Sequence, residues 1–137
     1  YVLLHSPIQM AADLPRNYEA RPEAFEFIKQ VPVDWSESIM LDGYPSDLAV
    51  MARKDRNSET WYIGAITDEE ARQIEIPLSF LSDQAYAAEV YQDGDGADWR
   101  TNPYPLSLST KQVTRDETLS ITLAPGGGTA IALTPKV

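Results

Sequence analysis

The sequence contains no cysteine and a single histidine, His5. The first absence excludes disulfides and thiolate chemistry, yet leaves the compartment open, because many exported bacterial proteins carry no disulfide. Together the two absences leave no donor set for zinc, which takes several nitrogen or sulfur ligands. A Ser-His-Asp relay needs its histidine beside a nucleophile. His5 instead follows the apolar Leu3-Leu4, so it reads as a packed or capping residue. Positive charge is also scarce: 11 Lys and Arg stand against 21 Asp and Glu, a net charge of -10. Phosphate neutralisation needs clustered cations, so this balance argues against nucleic acid or an anionic membrane as partner. The acidity reads as solubility. Long apolar runs are missing too, and no stretch approaches the roughly 20 residues of a membrane-spanning helix.

What is present is an ordinary globular composition, 43% hydrophobic and 23% charged over 137 residues, enough for one domain with one core. The organising stretch is Glu59-Thr-Trp-Tyr-Ile-Gly-Ala-Ile-Thr-Asp68. Apolar side chains leave both of its faces, which predicts a strand at the centre of a sheet covered on both sides. Later segments alternate cleanly and predict antiparallel strands with one buried face: Ile74 and Ile76, Leu106 and Leu108, and Leu119, Ile121 and Leu123. Candidate strands are 38–41, 48–53, 60–67, 73–76, 86–92, 106–110, 118–123 and 130–134. Between them fall turn signals, among them Asp42-Gly43, Ser82-Asp83, Asp93-Gly-Asp-Gly96 and Pro125-Gly-Gly-Gly128. The fold class predicted is mainly β, an antiparallel sandwich or Greek-key sheet preceded by one or two helices.

The helices belong to the first thirty residues. Ser6-Pro7 predicts a helix start, with Ile8, Ala11 and Ala12 on one side and a stop at Leu14-Pro15. Tyr1 to Leu4 is either an earlier turn of that helix, kinked at Pro7, or outside it. A second helix fits 22–30, with Ala24, Phe25 and Ile28 as its apolar stripe. The opening Tyr1-Val-Leu-Leu4, apolar and without an initiator Met, predicts a piece of a longer protein.

Candidates for chemistry are few. Asp93-Gly-Asp-Gly-Ala-Asp98 resembles a calcium loop, but an EF-hand needs an oxygen ligand fifth, glycine sixth and glutamate twelfth. Those positions hold Ala97, Asp98 and Tyr104, so a connecting loop is predicted, with Gly94 and Gly96 supplying left-handed φ. Glycoside hydrolysis needs two facing carboxylates. Glu89 is the acid most enclosed by apolar neighbours, and no partner for it is evident. Trp61 is predicted to be core. Trp99, Tyr104 and Tyr91 are the candidate sugar-stacking residues, with loop-pinning as the alternative for Trp99. Gly126-Gly-Gly128 precedes a strand and not a helix, so a phosphate cradle has no support.

A series of blocks, taken in order, carries a resemblance. They are Ser6-Pro-Ile-Gln-Met-Ala-Ala-Asp-Leu-Pro15, Phe25-Glu-Phe-Ile28 with Val31-Pro-Val-Asp-Trp35, and Ala52-Arg-Lys-Asp-Arg56. Trp61-Tyr-Ile-Gly-Ala-Ile-Thr-Asp68, Ala97-Asp-Trp-Arg-Thr-Asn-Pro103 and Ala124-Pro-Gly-Gly-Gly128 complete it. The chain resembles the C-terminal end of glycoside hydrolase family 97, the calcium-dependent α-glucosidases and α-galactosidases of Bacteroides-type bacteria. The resemblance implies that residues 1–31 are the last helical part of a catalytic β/α barrel and 32–137 the β-sandwich domain after it. It implies that the catalytic carboxylates and calcium ligands lie upstream. No catalytic, cofactor-binding or metal-binding residue then falls in this chain, and the chain alone is inactive. The implied partners are its own barrel and a possible homo-oligomer, the oligosaccharide substrate belongs to the parent, and the implied location is the periplasm or outside the cell. The alternative functional reading is a carbohydrate-binding module built on the loop aromatics. An oligomerisation module is a third.

Overall fold

A computed structural model describes residues 1–4 and 8–136 of the chain. Eight strands follow two short helices: α1 (Pro15–Glu19), α2 (Pro22–Gln30), β1 (Trp35–Tyr44), β2 (Leu48–Asp55), β3 (Trp61–Thr67), β4 (Arg72–Pro77), β5 (Tyr86–Asp93), β6 (Leu106–Val113), β7 (Thr118–Leu123) and β8 (Gly128–Pro135). Six strands form one antiparallel sheet in the order β1-β2-β3-β8-β5-β6, and β4 pairs with β7 in a second. The expected mainly β, antiparallel sandwich is the architecture found.

The small sheet closes one face of the large one. Its apolar side alternates as expected, with Ile74 opposite Ile121 and Ile76 opposite Leu119. Against it stand Val50 and Ala52 of β2, Trp61, Ile63 and Ala65 of β3, Ile131 and Leu133 of β8, and Tyr86, Ala88 and Val90 of β5. Register explains the shared face, since Ala52 pairs with Ile63, Ile63 with Ile131 and Ile131 with Val90. Trp61 is core, as predicted, at 4% exposure.

The opposite face carries a second, smaller cluster of Val2, Phe27, Val31, Tyr62, Tyr91 and Ala132. Here the N-terminal segment lies over the sheet. Phe27 meets the rings of Tyr62 and Tyr91 at centroid distances of 6.0 and 5.2 Å. The Tyr62 hydroxyl donates to the Gln30 carbonyl at 3.3 Å, and burial pushes that phenol up from its ordinary value. Gly64 leaves room for Val2 and Leu3, whose side chains would lie 3.0 and 3.2 Å from an added Cβ. β3 is therefore covered on both faces up to Gly64, but the double covering predicted for the whole stretch stops there, because nothing among the described residues lies over Ile66, which is 50% exposed. Beside this cluster Arg53 is buried without an acidic partner among the described residues. Its guanidinium donates to the Leu4 carbonyl at 3.3 Å and lies 5.6 Å over the Trp35 ring.

Several expectations fail for identifiable reasons. The predicted helix through Ile8, Ala11 and Ala12 is absent from 8–14, while its proposed start at Ser6-Pro7, like His5, lies outside the described residues. Pro15 opens a helix instead of closing one: it occupies the first helical turn of α1 after an extended Leu14. In α2 the buried residue is Phe27, and Ala24, Phe25 and Ile28 are only half-buried. Asp42-Gly43 lies inside β1. The chain turns at 44–47, with Pro45 followed by Ser46 at φ 73, the pattern of a type II turn. Leu106 and Leu108 of β6 do share a face, but it is the open one, at 38% and 50% exposure.

Candidate functional site

The acidic loop and Trp99 meet where β5 and β7 end and β8 begins. The Asp93 carboxylate accepts hydrogen bonds from the backbone N–H groups of Ala124 and Gly128, both at 2.9 Å. It thereby ties the last residue of β5 to the turn joining β7 and β8. Gly127 passes so close that a Cβ there would collide with this carboxylate. Gly126, at φ 65, packs against Cβ, Cγ and Cδ1 of Trp99 and donates to the Asp68 carbonyl at 2.7 Å. Trp99 also donates its backbone N–H to the Pro125 carbonyl at 3.3 Å. The 98–102 loop is pinned in this way to the glycine turn. Asp98 folds the loop itself, accepting from the N–H groups of Thr101 and Arg100, and these bonds hold its carboxyl below the ordinary carboxylate range.

The three candidate stacking residues are not brought together as one platform. Trp99 is half-exposed, and the Arg100 guanidinium lies 4.5 Å over its ring. Tyr104 is exposed, with Arg21 placed 5.2 Å over its ring and donating to its carbonyl at 3.1 Å. Tyr91 is buried beneath Phe27, because neighbouring residues of a doubly covered central strand are both enclosed; it offers no open face.

Glu89 is half-buried on β5. In the Asp93–Asp98 loop one oxygen of each end carboxylate is taken by backbone N–H donors, Oδ2 of Asp93 and Oδ1 of Asp98. No three His, Asp or Glu among the described residues group as metal ligands. Gly96 has the expected left-handed backbone at φ 71, whereas Gly94 is a close approach to Pro105 and Leu106.

A second feature escaped sequence reasoning. At the β1–β2 turn an open groove of about 480 Å³ lies between Met40, Tyr44 and Leu48 on one side and Ile66 to Asp68 on the other. β2–β3 pairing of Ala49 with Ile66 brings the two segments together. Met40, Tyr44 and Ile66 are exposed at 59%, 70% and 50%. Asp68 sits under Arg72, which donates to both of its oxygens at 3.1 Å, and Asp47 lies 3.9 Å from the same guanidinium. The Glu70 N–H first, and Arg72 after it, hold the Asp68 carboxyl below its ordinary value. The only local signal was Tyr44-Pro45 before a polar pair, which marks a turn but not a groove.

Residues 34–134 match the family described as glycosyl-hydrolase 97 C-terminal, oligomerisation. The chain belongs to that family. Over 98% of its length it superposes, with a TM-score of 0.95 and 49% identity, on a glycoside hydrolase family 97 enzyme from a Pseudoalteromonas species solved with acarbose. It is 40% identical over 97% of its length to a retaining α-galactosidase of Bacteroides thetaiotaomicron. A β-arabinopyranosidase structure matches 96% of the chain with a TM-score of 0.77 and 26% identity. The chain spans only a fifth of these relatives, between 19% and 21% of their lengths. As a family 97 C-terminal domain it is a non-catalytic accessory unit, and residues 1–33 precede the part that defines the family.

Proposed function

We propose that this domain serves an α-glycosidase, bracing the catalytic barrel and contributing to oligomer contacts, while the enzyme as a whole hydrolyses α-galactosidic or α-glucosidic bonds in oligosaccharides. The supporting observation is the way residues 1–4 and 8–33 are held. They precede the matched C-terminal region yet fall within the match to longer enzymes, and Phe27 and Val31 clamp them to the large sheet. Their other side presents Leu4, Met10 and Leu14 at 68%, 77% and 53% exposure, an apolar surface of the kind that takes a protein partner. A barrel seated there would bury it. The β-arabinopyranosidase relative supports an accessory role, since a similar domain accompanies an enzyme with a different described sugar. Calcium belongs in this reading to the barrel, since the acidic loop here lacks the ligand spacing of an EF-hand. An exported location, testable by cell fractionation of the parent, completes the proposal.

Assaying the chain with aryl α-galactosides and α-glucosides, with and without calcium, tests the reading. No turnover is expected, and calcium-stimulated turnover would overturn it. A sugar-binding role for exposed Trp99 and Tyr104 is separable. Titration with malto- and galacto-oligosaccharides should leave tryptophan fluorescence unchanged at millimolar sugar, and a saturable shift lost in Trp99→Ala would favour that role instead.

A further inference from the structure

We infer that Arg53 and the indole N–H of Trp35 form a receptor for a carboxylate that this chain does not supply, an Asp or Glu side chain on the catalytic part of the longer enzyme. This rests on the accessory reading above and names the chemistry of the contact. Arg53 is the only charged residue buried among those described, at 4% exposure. A guanidinium carries five N–H donors, and taking it out of water is costly unless an anion answers it. Its acceptors here are few. Nη1 donates to the Leu4 carbonyl at 3.3 Å, and Nε donates to the Met51 thioether, a weak acceptor, at 3.2 Å. Burial pulls the guanidinium below the ordinary arginine value, with no neighbouring acid to offset it. Trp35 supplies the second observation. The guanidinium lies 5.6 Å over its ring, and its Nε1 is buried with no acceptor among the described residues. Two unanswered donors meeting at one ring call for an acceptor, and the charge on one of them calls for an anion.

The described residues of this chain do not provide that anion. Arg53 pairs across the sheet with Ser38 on one side and Tyr62 on the other, neither of them an acid. Acids at neighbouring positions face other cations: Asp34 faces Arg56, and Glu37 and Glu59 face Lys54. The Tyr1 ammonium, pulled below its ordinary value by burial first and by Arg53 second, adds positive charge to the same corner. In a chain at -10 such a corner is the exception. Position favours the catalytic part as the source of the acid. Leu4, whose carbonyl Arg53 holds, is 68% exposed, so the guanidinium lies just beneath the surface there. Leu4 also belongs, with Met10 and Leu14, to the apolar surface on which the barrel is proposed to sit. A carboxylate arriving with the barrel would meet Arg53 away from water, where a charge-assisted hydrogen bond is strongest.

Isotope labelling of the three tryptophan indole nitrogens, read by NMR with Trp35→Phe to assign the Trp35 signal, tests the inference. Formate is the probe on the isolated chain, titrated against sodium chloride at constant ionic strength. It should shift the Trp35 indole signal saturably, with a dissociation constant no tighter than about 1 mM for so small a ligand. Arg53→Gln should abolish the response. In the longer enzyme the acid is already in place, so formate should leave the signal where it is. Stability gives a second readout. Arg53→Met removes an uncompensated buried charge from the chain, whose thermal midpoint should stay the same or rise. In the longer enzyme the same variant leaves a buried carboxylate without its partner, and the midpoint should fall. A Trp35 signal indifferent to formate in the chain, or a chain midpoint that falls in Arg53→Met, would reduce Arg53 to a latch on Leu4 and overturn the inference. A formate response that persists in the longer enzyme would overturn the catalytic part as the source and favour a free carboxylate. Turnover of α-glycosides by the chain would overturn only the accessory reading, so the failures are distinguishable.

Discussion

The large sheet buries its two faces by different means. The inner face meets the β4–β7 sheet, and strand pairs such as Ile74 with Ile121 close a mostly aliphatic core whose Ile63, Ile131 and Leu133 are fully enclosed. The outer face is covered only in its middle, by a segment that reaches it through Phe27 of α2, Val31 just after that helix, and two residues near the start, Tyr1 and Val2. Toward both edges it stays open, at Met40 and Ile66 on one side and Leu106 and Leu108 on the other. A face closed by its own strands makes a domain; a face closed by a borrowed segment makes a joint. Aromatic rings dominate the joint, where edge-to-face contacts of Phe27 and Trp35 with Tyr62 tie separate elements together.

Cavities cut into each face should expose this difference. Leu133→Ala empties a fully enclosed inner position and should cost about 2–5 kcal/mol of global stability, read as a lowered thermal midpoint in calorimetry. Phe27→Ala removes the ring that bridges Tyr62 and Tyr91. Its cost should fall mainly on the segment: amides of α2 should exchange faster while those of β3 and β8 keep their protection, with a smaller midpoint shift than Leu133→Ala. If Phe27→Ala lowers global protection as far as Leu133→Ala does, the two faces form one cooperative unit and the distinction between domain and joint fails.

Alternation made the inner face legible. Period-two spacing in 118–123 and 73–76 fixes which side chains share a side, and both strands appear where that spacing puts them. It cannot tell which side is covered, so Leu106 and Leu108 have the predicted spacing and an unpredicted exposure. The outer face was harder to read for the same reason. Phe27 and Tyr91 owe their burial to each other, and they lie far apart in the chain. Proline was ambiguous: Pro15 and Pro22 both open helices, and only the second has a clear apolar pattern after it. The loop site was half legible. Trp99 was expected either to pin its loop or to stack on sugar, and its contacts with Gly126 and Pro125 show the pinning. Asp93 gave no local sign of its role, because its donors arrive from 124 and 128.

Asp93 bears on the comparison because it joins the two sheets. Ala124 ends the β7 side of the turn and Gly128 begins β8, and one carboxylate accepts from both. Asp93→Ala strands two N–H groups beside open cavities that admit water, so the loss should be near the low end of the penalty for an unmade bond, about 1–2 kcal/mol. Urea unfolding would measure it. Because the turn also seats Trp99, the Trp99 ring should become more mobile, visible as lower fluorescence anisotropy. A stability loss with unchanged Trp99 anisotropy would mean that Pro125 and Gly126 hold the ring without the carboxylate.

The smallest effect belongs to the open end of the outer face. Ser46 is the one residue other than glycine described with positive φ, at 73, and the type II geometry of 44–47 asks for glycine at that position. Its side chain makes the left-handed conformation costly, and Ser46→Gly should relieve about 0.5–1 kcal/mol of that strain, partly offset by the greater freedom glycine has when unfolded. A slight rise in thermal midpoint is expected, with β1–β2 amides better protected. A midpoint that does not rise, or β1–β2 amides that exchange as before, would mean that the hairpin holds Ser46 left-handed without strain worth relieving.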